Sequence, residues 1–114
     1  MAGDRNMYYQ GDVVEVSFAG SLGHEAKRKR PAVVIGCNRF NAMSSLCVVV
    51  PVTTTDNRYP LHIRIEPGNV IEGFVCIEQL VSLDLRYRGY EVLGSLDENT
   101  MRNILDAIGA VFDI

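Results

Sequence analysis

Eight residues, Gly23 to Arg30, carry four cations: Lys27, Arg28, Lys29 and Arg30. The run stops at Pro31, and the apolar segment Ala32–Ile35 begins at once. Clustered Lys and Arg attract phosphate. An Arg guanidinium adds a planar, permanently charged fork that meets phosphate oxygens in pairs. Lys27, Arg28 and Lys29 therefore read as a loop that draws in and positions a phosphate-bearing ligand. Arg30 reads differently, because the junction with Pro31 fixes it at the mouth of a rigid element, from which it can aim at one phosphate. His24 has an intrinsic pKa suited to proton exchange near neutrality, and Glu25 beside it is a second candidate.

The elements that must position these residues are short. Gly11-Asp12 signals a turn, after which Val14, Val16 and Phe18 alternate with Glu15 and Ser17 as in a half-buried strand. Residues 19–30 read as a loop, and Pro31 suits the first position of a strand that runs to Cys37. Asn38 to Ser45 reads as a polar turn, and Leu46 to Val50 as a strand apolar on both faces, carried on through Pro51 and Val52 to Thr53. Asp56 to Pro60 is a turn cluster. Leu61, Ile63 and Ile65 then alternate with His62, Arg64 and Glu66, which predicts a strand with one wet face and puts His62 at the surface. Gly73 to Ile77 is a further strand, Gln79 to Leu83 extends or follows it, and Gly89 and Gly94 bracket a short piece. From Met101 the period becomes helical, through Ile104, Leu105, Ile108, Val111 and Phe112. Asp97 serves as N-cap, with Leu96 and Met101 as a hydrophobic staple. Many short strands followed by one amphipathic helix predict a small α+β domain with a strongly bent sheet or partial barrel.

The chain has 114 residues, enough for one domain. We read residues 1–10 as an N-terminal tail, with Met7 as an alternative start, and 11–114 as the domain. Apolar residues make up 47% and charged residues 22%, as in ordinary soluble proteins. No apolar run can span a bilayer, and residues 1–6 hold no signal-like apolar stretch, so a cytoplasmic location away from membranes is expected. The net charge of −3 excludes a polycation that coats nucleic acid but leaves room for a local basic site. Cys37, Cys47 and Cys76 are odd in number and form no CxxC pair, so reduced buried thiols are expected. Neither His24 nor His62 completes a metal constellation with them; no metal and no cofactor is expected.

Taken in order, several pieces resemble the MazF/PemK/Kid toxins of bacterial toxin–antitoxin pairs, which are sequence-specific RNA endonucleases. These are Gly11-Asp12 with the first strand, Gly23-His24-Glu25 through Arg30-Pro31-Ala32-Val33-Val34, Val50-Pro51-Val52-Thr53-Thr54, Glu78-Gln79, Ser82-Leu83-Asp84, Arg88-Gly89, and the closing helix. The resemblance implies an SH3-like small β-barrel with a C-terminal α-helix, usually a homodimer. It also implies metal-independent cleavage of single-stranded RNA, mostly mRNA, with the adjacent 2′-OH as nucleophile, and restraint by a cognate antitoxin peptide. The family's essential arginine falls on Arg30 and its essential threonine on Thr53. Glu78 matches an acidic position implicated in the Kid branch, but that branch's arginine two residues earlier is Cys76 here, which favours an Arg–Thr mechanism. A family glycine ahead of the signature arginine is Arg28 here, so the loop is more basic and its sequence preference open to change.

The chemistry suits these positions. Attack of a 2′-OH on phosphate builds charge on the nonbridging oxygens. It needs a cation held toward them, hydrogen-bond donors, a base for the nucleophile and an acid for the leaving oxygen. Arg30 fits the first role, and Thr53 offers a hydroxyl at the end of a buried strand. His24, Glu25 and Glu78 are the candidates for proton transfer. Candidate RNA contacts are Lys27, Arg28, Lys29, Asn38, Arg39, Asn57, Arg58, Gln79, Arg86 and Arg88. Tyr59 could stack on a base, an interaction worth about 1–3 kcal/mol. Two other readings compete. A gyrase-poisoning toxin of the same barrel would end in a Trp-bearing tail, and this chain has no Trp. A non-catalytic RNA-binding module has the presence of both Arg30 and Thr53 against it.

Overall fold

The computed structural model describes residues 7–18, 29–55 and 61–114. Seven strands form one antiparallel sheet: β1 (Asp12–Ser17), β2 (Lys29–Val34), β3 (Cys47–Thr53), β4 (His62–Arg64), β5 (Phe74–Cys76), β6 (Val81–Leu83) and β7 (Tyr90–Ser95). Their order is β4-β5-β3-β2-β1-β7, with β6 paired to the first half of β3. The expected small bent sheet with a helix last is present in open form. Among the described residues, β4 and β7 are edges and no ladder closes the barrel. Among the described residues, three α-helices accompany the sheet: α1 (Asn38–Met43), α2 (Leu85–Arg88) and α3 (Glu98–Phe112).

Alternation along the central strands divides the apolar residues between two faces. On one face Val13, Val33, Val50, Val52 and Val75 pack against Leu96, Met101 and Ile104 of the α3 segment. On the other, Tyr8, Val14, Val16, Ala32, Val34, Cys47 and Val49 pack with Leu83 and Leu85. Each fully buried Val stabilises the sheet by about 1.5–3 kcal/mol, so β1, β2 and β3 are the rigid centre. Tyr8, inside the segment read as a tail, is fully buried, with its ring edge-on to Tyr90 at 5.5 Å.

Two expectations about these elements need correction. Asn38–Met43 is a helix rather than a polar turn. A side-chain bond back to the preceding turn supports it: the buried Asn41 side chain donates to the Gly36 carbonyl at 3.0 Å. Strand β2 starts at Lys29, two residues ahead of Pro31. Pro31 is tolerated there because the β2–β3 ladder begins only at Ala32/Pro51, so its missing N–H costs no bond on that side. The expected helical period of α3 is present: Met101 and Ile104 are buried, Ile108 packs partly buried against the same core, and Val111 and Phe112 are exposed.

The cap of α3 is as expected. Asp97 accepts the Thr100 N–H at 2.8 Å. Hydrogen bonding to Thr100 holds its carboxyl below the usual carboxylate range, with Asn69 contributing. A depressed native pKa means the cap contributes fully above the unfolded value of about 3.9 and is lost as pH falls through the native value. Asp97→Ala is therefore expected to lower Tm at neutral pH, and its gap to the wild type should narrow in acid below about pH 4. Thermal unfolding followed by circular dichroism at several pH values checks this. A gap that stays constant would remove the cap as its cause.

Candidate active site

One row of residues crosses the sheet near the start of β2. Tyr90 pairs with Val16, and Val16 with Arg30. The β2–β3 register, continued two residues beyond Ala32/Pro51, sets Arg30 across from Thr53. Thr53 pairs with Phe74, and Phe74 with Arg64. Residues directly opposite in a sheet share a face. Arg30 and Thr53 therefore lie on one face, at the end of the β2–β3 ladder, where Pro31 has no N–H to offer β3.

Both side chains are held. The Arg30 guanidinium is 3.5 Å from the Val52 carbonyl oxygen and lies over the Phe18 ring, 5.5 Å from its centre. A cation over an aromatic face is worth about 0.5–1 kcal/mol at an exposed site, enough to bias the side chain without locking it. The Thr53 hydroxyl accepts the Thr55 N–H at 3.2 Å, which leaves its own hydrogen free to donate. A half-buried cation and a half-buried hydroxyl on adjacent strand ends can stabilise a developing oxyanion.

Two residues further along β5, Cys76 pairs with His62 on the same face. His62 corrects the surface reading: its side chain is only 6% exposed, and its Nε2 lies 3.2 Å from Glu78 Oε2. Glu78 is in the 3-10 turn Ile77–Gln79 that follows β5 directly. Burial pushes the Cys76 thiol up, as does the Glu78 carboxylate, while Arg30 works in the opposite direction. Cys76 thus lies within electrostatic reach of both. The expectation that no histidine joins the cysteines at metal-ligand spacing also needs correction. Donor atoms of His62, Cys76 and Glu78 all lie within 4.8 Å of one another. Sequence spacing of 14 and 16 residues hides this cluster; only the β4–β5 register reveals it.

The other expected residues fall in several places. Lys29 is exposed at the start of β2 and pairs with Ser17. Arg88 donates to the Ser17 carbonyl at 2.9 Å, which ties α2 to the strand end beside Arg30. Arg86 is exposed on α2, within electrostatic reach of Tyr8. Gln79 is exposed next to Glu78. Asn38 and Arg39 open α1, beyond the far end of β2 and roughly 15 Å or more along the strand from Arg30. The Asn38 side chain accepts the Gln10 N–H at 2.8 Å. His24, Glu25, Lys27, Arg28, Asn57, Arg58 and Tyr59 lie outside the described residues.

Residues 9–112 match the family of PemK-like, MazF-like toxins of type II toxin–antitoxin systems. The chain belongs to this family. The endoribonuclease toxin MazF of Escherichia coli K12 is 31% identical over 86 residues, 75% of this chain and 77% of that one. The Escherichia coli endoribonuclease PemK is 26% identical over 106 residues, 90% of this chain and 80% of that one. The fold agrees as well. MazF from Deinococcus radiodurans superposes with a TM-score of 0.82 at 24% identity, over 96% of this chain and 100% of that one. A MazE–MazF crystal structure from the same organism gives 0.83 at 23% identity, over 95% and 98%. Membership in a toxin family places the Arg30–Thr53 row in a protein whose relatives are named for cutting RNA.

Proposed function

We propose that this protein is an endoribonuclease toxin, acting on single-stranded RNA, mRNA in particular, by attack of a 2′-OH on the adjacent phosphate. The observation that carries this reading is the Arg30–Thr53 row, in a chain 31% identical to an endoribonuclease toxin. Arg30 neutralises charge on the nonbridging oxygens, and the Thr53 hydroxyl donates to the same group. The 2′-oxygen forms a bond to phosphorus as the bond to the 5′-oxygen breaks. One proton leaves the nucleophile and one arrives on the leaving oxygen. The candidates for carrying those protons are His24, Glu25 and Glu78, and Glu78 is engaged with His62.

The products are a 2′,3′-cyclic phosphate and a 5′-hydroxyl, with no step that needs a metal. Incubating the full chain with single-stranded RNA in EDTA and analysing the new ends checks this. Absence of cleavage, or 5′-phosphate products, would sink the reading. DNA breaks linked to a topoisomerase, without RNA loss, would instead point to a gyrase poison.

Complexes named MazE–MazF among the structural relatives support a cognate antitoxin for this chain, an acidic peptide studded with apolar residues and complementary to the basic loop. A homodimer and a cytoplasmic location complete the proposal. Among the described residues, no helix is long and apolar enough to cross a membrane.

A further inference from the structure

We propose that His62, Cys76 and Glu78 form a binding site for one Zn2+ ion. The three donors come from β4, the end of β5 and the turn after it, and all lie within 4.8 Å of one another. Ligands about 2.0–2.3 Å from a tetrahedral zinc stand roughly 3.3–3.7 Å apart. The His62–Glu78 pair is already at 3.2 Å, so closing the site needs the Cys76 sulfur to move by about 1–1.5 Å from the widest separation. The β4–β5 ladder fixes the His62 and Cys76 backbones opposite each other, which limits the ordering cost of binding.

The donor set selects the ion. One sulfur, one imidazole nitrogen and one carboxylate oxygen suit Zn2+, whereas Mg2+ and Ca2+ require oxygen shells. Three protein ligands leave a fourth position for water. Charge favours it too. Binding displaces the thiol proton to solvent, and a thiolate, a carboxylate and a neutral imidazole balance the dication. Cys76 is 2% exposed and the His62 side chain 6%, so a neutral complex suits this burial better than a bare ion pair. Glu78, the more exposed of the three, marks the entry side.

The site stands on this geometry alone; its consequence rests on the ribonuclease reading. The ion takes hold of Glu78 and of Cys76, a thiol within the electrostatic reach of Arg30. Micromolar Zn2+ is then expected to lower RNA cleavage and EDTA to restore it, so that zinc acts as a brake rather than a cofactor.

The test uses the full-length reduced protein, stripped with a chelator and titrated with Co2+ as a spectroscopic probe, then with Zn2+ against a chromogenic chelator. One equivalent should bind, with a thiolate-to-cobalt charge-transfer band in the near ultraviolet. The band should persist in Cys37→Ser and vanish in Cys76→Ser. Outer-shell substitutions alone cost about 10–100-fold in metal affinity, so His62→Gln and Glu78→Gln, which remove ligands, should each weaken Zn2+ by about 100-fold or more. These two variants decide the matter should Cys76→Ser fold poorly by circular dichroism. Absence of the band in the wild type, its retention in Cys76→Ser, or its loss in Cys37→Ser overturns the site. Cleavage unchanged by stoichiometric Zn2+ overturns the brake. Failure to cleave RNA even in EDTA overturns the ribonuclease reading and leaves the cobalt result to decide the site.

Discussion

Arg30→Ala is expected to slow RNA cleavage about 100- to 1,000-fold, or roughly 2.7–4 kcal/mol of lost transition-state stabilisation, the loss typical of removing one preorganised oxyanion donor. The size follows from where the residue stands. Arg30 is half-buried on a strand whose continuation, Ala32 to Val34, is fully buried, so its backbone cannot drift. Phe18 and the Val52 carbonyl bias its side chain before substrate arrives. A group already in place pays little to reorganise when charge develops on phosphate.

The contacts that orient Arg30 are weak, so its removal should leave Tm nearly unchanged. Rate loss with retained stability is the signature to look for. The loss should fall on kcat. A raised KM with unchanged kcat would make Arg30 a binding group and end its catalytic assignment. Arg30→Lys keeps the charge but not the fork and should recover only part of the rate. Thr53→Val keeps the shape and removes the hydroxyl, so it should cost a similar factor. If the two residues act on one oxyanion, the double substitution will cost less than the product of the single effects. Lys29→Ala, one residue upstream and exposed, should instead weaken RNA binding and flatten its salt dependence.

The places of Arg30 and Thr53 at strand ends were readable from the sequence because they depend on local punctuation, while their proposed roles come from the family resemblance. Pro31 ahead of Ala32–Ile35 and Thr53 after the Cys47–Val52 run mark strand ends, and two strand ends in a small sheet tend to meet. Asp97 followed by a helical apolar period marks a helix start just as locally. The Asn38–Met43 helix was not readable, because it has no apolar period and its support is the Asn41 side chain bonding to Gly36. His62 was misread for a related reason. Alternation along 61–66 separates two faces but does not say what covers each. The face of His62 is covered by Cys76 and Glu78, which the chain delivers after a turn and another strand. The Arg30 end of the site is legible from local signals, while the His62–Cys76–Glu78 end exists only through register.

Gly73→Ala should damage both stability and activity although Gly73 carries no chemistry. It enters β5 with φ +135°, and a Cβ built there lies 2.6 Å from the Thr53 carbonyl oxygen and 3.1 Å from Val52 Cγ1. The obstructing atom is backbone, so no side-chain rotation relieves it. Its own carbonyl accepts the Ile65 N–H at 2.9 Å, which resists retreat in the other direction. Overpacking of this kind costs about 1–3 kcal/mol, and a positive φ on a residue with a Cβ adds roughly 1–2. A total of roughly 2–5 kcal/mol should lower Tm by about 10 °C or more. The strand that must give way carries Thr53, so the hydroxyl moves relative to Arg30, and a displacement approaching 1 Å can cost about 100-fold in rate. Gly68→Ala separates the two contributions. Gly68 has φ +94° with nothing within 4 Å of an added Cβ, so it pays the backbone strain alone and should keep its activity. Equal stability losses in the two variants, with cleavage intact in both, would mean that the close approach of Gly73 to Thr53 does not set the position of the hydroxyl.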